Sequence, residues 1–127
     1  VLLSEAKALL PTNISILSIP HTIVLQEEPI ICGDASYQGV TDLAVCTITI
    51  SVGGRPYESI LETLLHEVLH IIVYRMHVRI DREESVINVL ASGLLQFLIS
   101  NDGLSPKFYN KQREGVGIHP SLLLEEK

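Results

Sequence analysis

The chain has 127 residues, 46% of them hydrophobic and 19% charged, with a formal net charge of −6. That length suits one domain with its own core, and the balance is that of a globular chain rather than a disordered one. The acidic surplus offers no basic patch for direct nucleic-acid contact, and every apolar run breaks well before the ~18 residues a membrane span requires.

Residues 1 to 10 read as a short helix capped by Ser4 and stopped by Pro11. Val1-Leu2-Leu3 lacks the form of a secretory signal, so a cytoplasmic location is expected. Ile14 to Leu25 is rich in β-branched residues and reads as strand, with Pro20 marking a bulge or an edge and His21 a surface or edge residue. Glu27-Glu28-Pro29 reads as a turn and Cys32 to Ser36 as a loop. Strands are expected over Tyr37 to Val40 and Ala44 to Ser51; in the second, apolar residues alternate with Thr47 and Thr49, so one face is buried. Short connections predict a small, mostly antiparallel sheet of about three strands. Cys32 and Cys46 read as small buried hydrophobes, with a single bridge between them left open.

Gly53-Gly54-Arg55-Pro56 breaks the last strand, and a helix starts at Pro56 or at the capping box Ser59-Ile60-Leu61-Glu62, ending near Met76 or His77. Asp81-Arg82-Glu83-Glu84 opens a second helix with another capping-box pattern, running to about Ser100. So short a connection makes the two helices antiparallel neighbours. The fold class is therefore α+β: a sheet packed on two helices, with the core over about residues 13–102 and a tail over 103–127.

Within the first of these helices lies His66-Glu67-Val68-Leu69-His70, flanked by Leu64, Leu65, Ile71 and Ile72. Positions i and i+4 share one helix face, so both imidazoles aim at one point, as ligands of a tetrahedral Zn²⁺ must. Glu67 lies beside them, within reach of a metal-activated water as general base. Two histidines and a glutamate inside an apolar helix are costly to bury without such a task.

A catalytic zinc needs a third protein ligand. Met76 occupies the place of a third histidine six residues after His70, and His77 is two turns on, about 10 Å along the axis. His119 lies far off in the tail. Glu83 and Glu84 open the helix that packs back, and Glu84 is preferred because Asn88 lies one turn further on the same face, where it could orient His66 or His70. The competing role for Glu84 is to complete the capping box begun by Asp81.

With His66-Glu67-Val68-Leu69-His70 and Glu84 to Asn88, the chain resembles the gluzincin metallopeptidases, most closely the very small phage and prophage enzymes of the ImmA/IrrE type. The similar segments are Thr63 to His70 and Leu90 to Gln96, within residues 37–101. In that group an acid often follows the ligand glutamate by four residues; here Asn88 stands in its place. The resemblance implies a minimal zincin-like fold, one Zn²⁺ on His66, His70 and Glu84, and hydrolysis of a peptide bond in a protein substrate, with Glu67 moving the proton. It also implies a prokaryotic or phage-infected cytoplasm. The strand from Thr47 to Ile50 could take up substrate along a free edge. Tyr37, Tyr74, His77 and Tyr109 are the candidate oxyanion stabilisers. A different expectation is a zinc-stabilised protein-binding module without turnover, and a lesser one is a zinc hydrolase acting on a non-peptide substrate.

Overall fold

The computed structural model describes residues 1–101 of the chain. The tail, with Tyr109 and His119, lies outside them. The described elements run α1 (Leu3–Leu9), β1 (Asn13–Ile16), β2 (Ile19–Gln26), β3 (Ile30–Cys32), β4 (Ala35–Tyr37), β5 (Gly39–Asp42), β6 (Thr47–Ser51), α2 (Tyr57–Arg75) and α3 (Glu83–Ser100). Among the described residues this is an α+β fold with a small mixed sheet and three helices. None of these helices is long and apolar enough to cross a membrane.

Four strands form one sheet in the order β1-β2-β6-β5, and β3 pairs with β4 in a separate hairpin. Three of the four pairings are antiparallel, but the central one, β2 with β6, is parallel, with Thr22 opposite Thr47 and Gln26 opposite Ser51. The antiparallel expectation fails there because residues 27–46 spend their length on the β3–β4 hairpin and β5. That excursion returns the chain to the start of β2, and β6 then inserts between β2 and β5. The loop expected over Cys32 to Ser36 is accordingly a hairpin.

Between β1 and β2 the chain turns through two residues, Leu17 and Ser18, at φ +52° and +66°. Positive φ at both positions matches the right-handed twist of the strands, and the turn fixes the register. Pro20 costs the sheet no central bond, because pairing of β2 with β6 begins only at Thr22. The same register puts His21 on the core side between Ile19 and Ile23, where it is buried rather than edge-exposed and bonds through Nδ1 to the Ile19 carbonyl at 2.8 Å.

Ile48 and Ile50 of β6 face inward while Thr47 and Thr49 are only half-buried, as the alternation requires. They meet Ile60, Leu61, Leu64 and Ile71 of α2, and α1 adds Ala6 and Leu9, with Leu10 just after it, to the same core. Ser4 lies inside α1 rather than capping it; the free amide of Leu2 instead donates to Glu5 Oε1 at 3.0 Å. Pro56 occupies the cap position of α2, and the helix begins at Tyr57.

Helix α3 packs on α2 through Ile87, Ala91 and Leu95. Glu84 meets His66 and His70, while Asn88 and Ala91 border the same cleft as Glu62 and Thr63, so the helices run in opposite senses. Its start departs from the sequence expectation. Arg82, at φ +55°, is the cap residue, and no side chain caps the helix. Asp81 therefore closes no capping box, which leaves the Glu84 carboxylate available for other partners.

Candidate metal centre

The first turns of α2 are fixed from beneath by Arg55, a buried cation. Its guanidinium donates to the Ser51 carbonyl, to the Ser59 carbonyl at 2.8 Å, to Ser59 Oγ at 3.0 Å and to Thr63 Oγ1. Burial pushes the Arg55 pKa down, and the nearby Glu62 charge partly offsets this. These bonds tie the end of β6 to the two helical turns that precede His66.

Edge strand β5 lies against the same stretch of helix. Gly39 is required there: a Cβ in its place would come within 2.6 Å of Thr63 Cγ2 and 3.3 Å of Glu67 Cγ. Two residues on, and so on the same face of the strand, Thr41 Oγ1 donates to Glu67 Oε1 at 2.7 Å. Glu67 is a nearly buried carboxylate at 8% exposure. One of its oxygens is thus satisfied by a fixed donor.

One turn further, the imidazoles of His66 and His70 stack edge to face, with their Nε2 atoms 3.0 Å apart. Glu84 reaches both from α3: Oε1 lies 2.8 Å from His66 Nε2, and Oε2 lies 2.8 Å from His70 Nε2. These three residues offer ligand atoms that all lie within 4.8 Å of one another. Three electron-pair donors held this close repel unless a cation or a shared proton lies between them. Two imidazole nitrogens and a carboxylate are a common donor set for catalytic zinc. Donors about 2.1 Å from a tetrahedral centre stand about 3.4 Å apart, near the 3.0 Å between the two Nε2 atoms and the 2.8 Å from each to its own oxygen of Glu84. The residues fit the metal. Glu84 is 69% exposed and can adjust to it with little cost in packing.

Glu83 takes a different place from Glu84. Its Oε2 lies 2.6 Å from His70 Nδ1, on the opposite edge of the ring. The orienting role expected of Asn88 is filled for His70 by Glu83, and Asn88 lines the cleft instead.

The cluster opens into a cleft of about 790 Å³. One wall is the β3–β4 hairpin with Cys32 and Tyr37, and the other is α3 with Asn88 and Ala91. Both cysteines are free, and Cys32 is exposed on this wall rather than buried. Of the four candidate oxyanion stabilisers, Tyr37 borders this cleft, Tyr74 borders a smaller cavity behind His70, and His77 is exposed beyond the end of α2.

Among the described residues, the sheet edge beside the metal cluster is β5 rather than Thr47 to Ile50, because β6 is paired on both sides. The Ser51 amide donates to the Gln38 carbonyl at 2.9 Å, so Gln38, and with it Val40 and Asp42, turn their backbone groups toward β6. Gly39 and Thr41 turn theirs outward.

Sequence reasoning named His66, Glu67, His70 and Glu84, and the structure brings all four together. It missed Arg55 and Thr41, and Glu83, weighed there as the alternative third ligand, sits on His70 Nδ1. The Thr41–Glu67 and Glu83–His70 contacts join different elements that no local spacing encodes, whereas Arg55 reaches residues four and eight positions along the chain. Comparison with protein-family models, curated proteins and solved structures finds no match to this chain.

Proposed function

We propose that the chain is a zinc-dependent metallopeptidase of minimal zincin-like form that hydrolyses a peptide bond in a protein substrate. The observation that carries this reading is the meeting of His66 Nε2, His70 Nε2 and the Glu84 carboxylate next to Glu67, at the floor of an open cleft. A zinc ion bound there supplies a Lewis acid that lowers the pKa of water toward neutrality.

Glu67 acts as general base on the attacking water and returns the proton to the leaving amine. The Thr41 hydroxyl holds one oxygen of that carboxylate and leaves the other for the proton. Outward N–H and C=O groups of Gly39 and Thr41 can pair with an extended substrate as an added strand, which lays its backbone across the metal cluster. Of the candidate oxyanion stabilisers within the described residues, Tyr37 is the one that borders the same cleft as the cluster.

The test is zinc content together with cleavage of an unfolded protein substrate, for wild type and Glu67→Gln. Wild type is expected to bind about one zinc per chain and to cleave. The variant should keep its zinc and lose at least about a hundredfold in rate, the lower bound for losing a general base. Equal cleavage by the variant would overturn the mechanism. Zinc bound without cleavage by either protein would favour a zinc-stabilised binding module, a reading to which the exposed Val89, Leu90 and Phe97 of α3 also lend support.

A further inference from the structure

Glu83 and Glu84 are adjacent on α3, so their side chains leave the helix about 100° apart. That divergence lets the pair grip the His70 ring from opposite edges, Glu84 at Nε2 and Glu83 at Nδ1. Helix α3 can begin where it does because Arg82 adopts the left-handed conformation at the preceding position.

A neutral imidazole carries one N–H, and the nitrogen that bears it cannot coordinate a cation. A carboxylate 2.6 Å from Nδ1 accepts a hydrogen bond from the Nδ1–H tautomer and so favours it against the Nε2–H form that Glu84 alone would favour, leaving the Nε2 lone pair for a cation beside His66 and Glu84. Glu83 itself borders the smaller cavity behind the ring, with Thr41, Leu43 and Tyr74, and not the open cleft. It stands on the far side of His70 from the point where the other donors converge. Among the described residues, no carboxylate does the same for Nδ1 of His66.

We propose that Glu83 is a positioning residue: it holds His70 as an Nε2 ligand and thereby raises the affinity of the site for a zinc-type divalent cation. This rests on the metal site proposed above, but not on hydrolysis. Its loss leaves three ligands in place and lets one of them rotate and change tautomer. The cost should fall on metal affinity rather than on folding.

The experiment is a zinc competition titration against a chromophoric chelator on the full chain, for wild type, Glu83→Ala, Glu83→Gln and Glu84→Ala. It is paired with nitrogen NMR of the imidazole tautomers in the metal-free proteins. Glu83→Ala is expected to weaken zinc binding about 10- to 100-fold, the range for losing a partner behind a metal-bound histidine. Glu83→Gln, whose amide oxygen still accepts the Nδ1 proton, should lose clearly less. Relative to wild type, Glu83→Ala should shift the His70 tautomer population toward the Nε2–H form, because Glu84 is then the carboxylate left on the ring. Unchanged affinity and tautomer in Glu83→Ala would overturn the proposal, as would a loss as complete as that of Glu84→Ala, which would make Glu83 a direct ligand. No zinc on wild type would overturn this proposal and the metal site together. Zinc binding without peptide hydrolysis would count against the proposed function alone.

Discussion

The two ends of α2 are held by different physics. At its beginning, Tyr57, Ile60, Leu61 and Leu64 are buried against the sheet, and the Arg55 guanidinium ties the first turns to β6. At its far end Tyr74, Met76 and Val78 are exposed, and the chain leaves through His77 at φ +56°. Close to that end, polar contacts from Glu83 and Glu84 to the two histidines join α2 to α3, beside the apolar packing of Ile87, Ala91 and Leu95. Glu67, the base in the proposed reaction, lies in the middle of the helix and is held from the sheet by Thr41; the third ligand reaches the neighbouring histidines from α3. A rigid base with an adjustable ligand is a workable division, since proton transfer demands fixed geometry while a metal draws its own ligands inward.

The largest test of this contrast is at the packed end. Ile60→Ala removes a fully buried side chain and should cost about 2–5 kcal/mol in urea unfolding, whereas Val78→Ala, at an exposed site, should stay within about 0.5 kcal/mol. Equal losses would erase the distinction between the ends. Next in size is the metal itself. Zinc at about a hundred times its Kd should stabilise the fold by about 2.7 kcal/mol, seen as a rise in Tm that a chelator reverses and that His70→Ala abolishes. A smaller loss than that of Ile60→Ala is expected of Gly39→Ala. Its methyl presses on Thr63 and Glu67 and should cost about 1–3 kcal/mol, with a fall in cleavage rate larger than the stability loss alone explains.

How far the fold could be read in advance follows the same contrast. Both long helices were legible to within a residue or two, because apolar periodicity and the Gly-Gly-Arg-Pro break mark them locally. His66, Glu67 and His70 were legible for the same reason: their geometry is set by one helix. The central parallel seam was not, because β2 and β6 are partners across a long intervening stretch and nothing in either strand names the other. The turn at Leu17-Ser18 also gave no signal, since neither residue is among those that usually accept positive φ. The start of α3 misled, because Asp81 and Glu84 have the spacing of a capping box while Arg82 takes the cap position. Glu84 does meet both histidines, and its carboxylate is available to them because that cap is not made.

The contact between Gly39 and Thr63 also bears on how such a site can diverge. Any other residue at position 39 brings a Cβ to within 2.6 Å of Thr63 Cγ2, while Thr63 Oγ1 is engaged by Arg55 and bonds the Ser59 carbonyl at 3.0 Å. Serine at position 63 keeps that oxygen and drops the obstructing methyl. An alanine at 39 is therefore easiest to accept after a serine at 63, and the two positions should change together and in that order. Lineages that took the steps in reverse would pass through a strained intermediate beside the base.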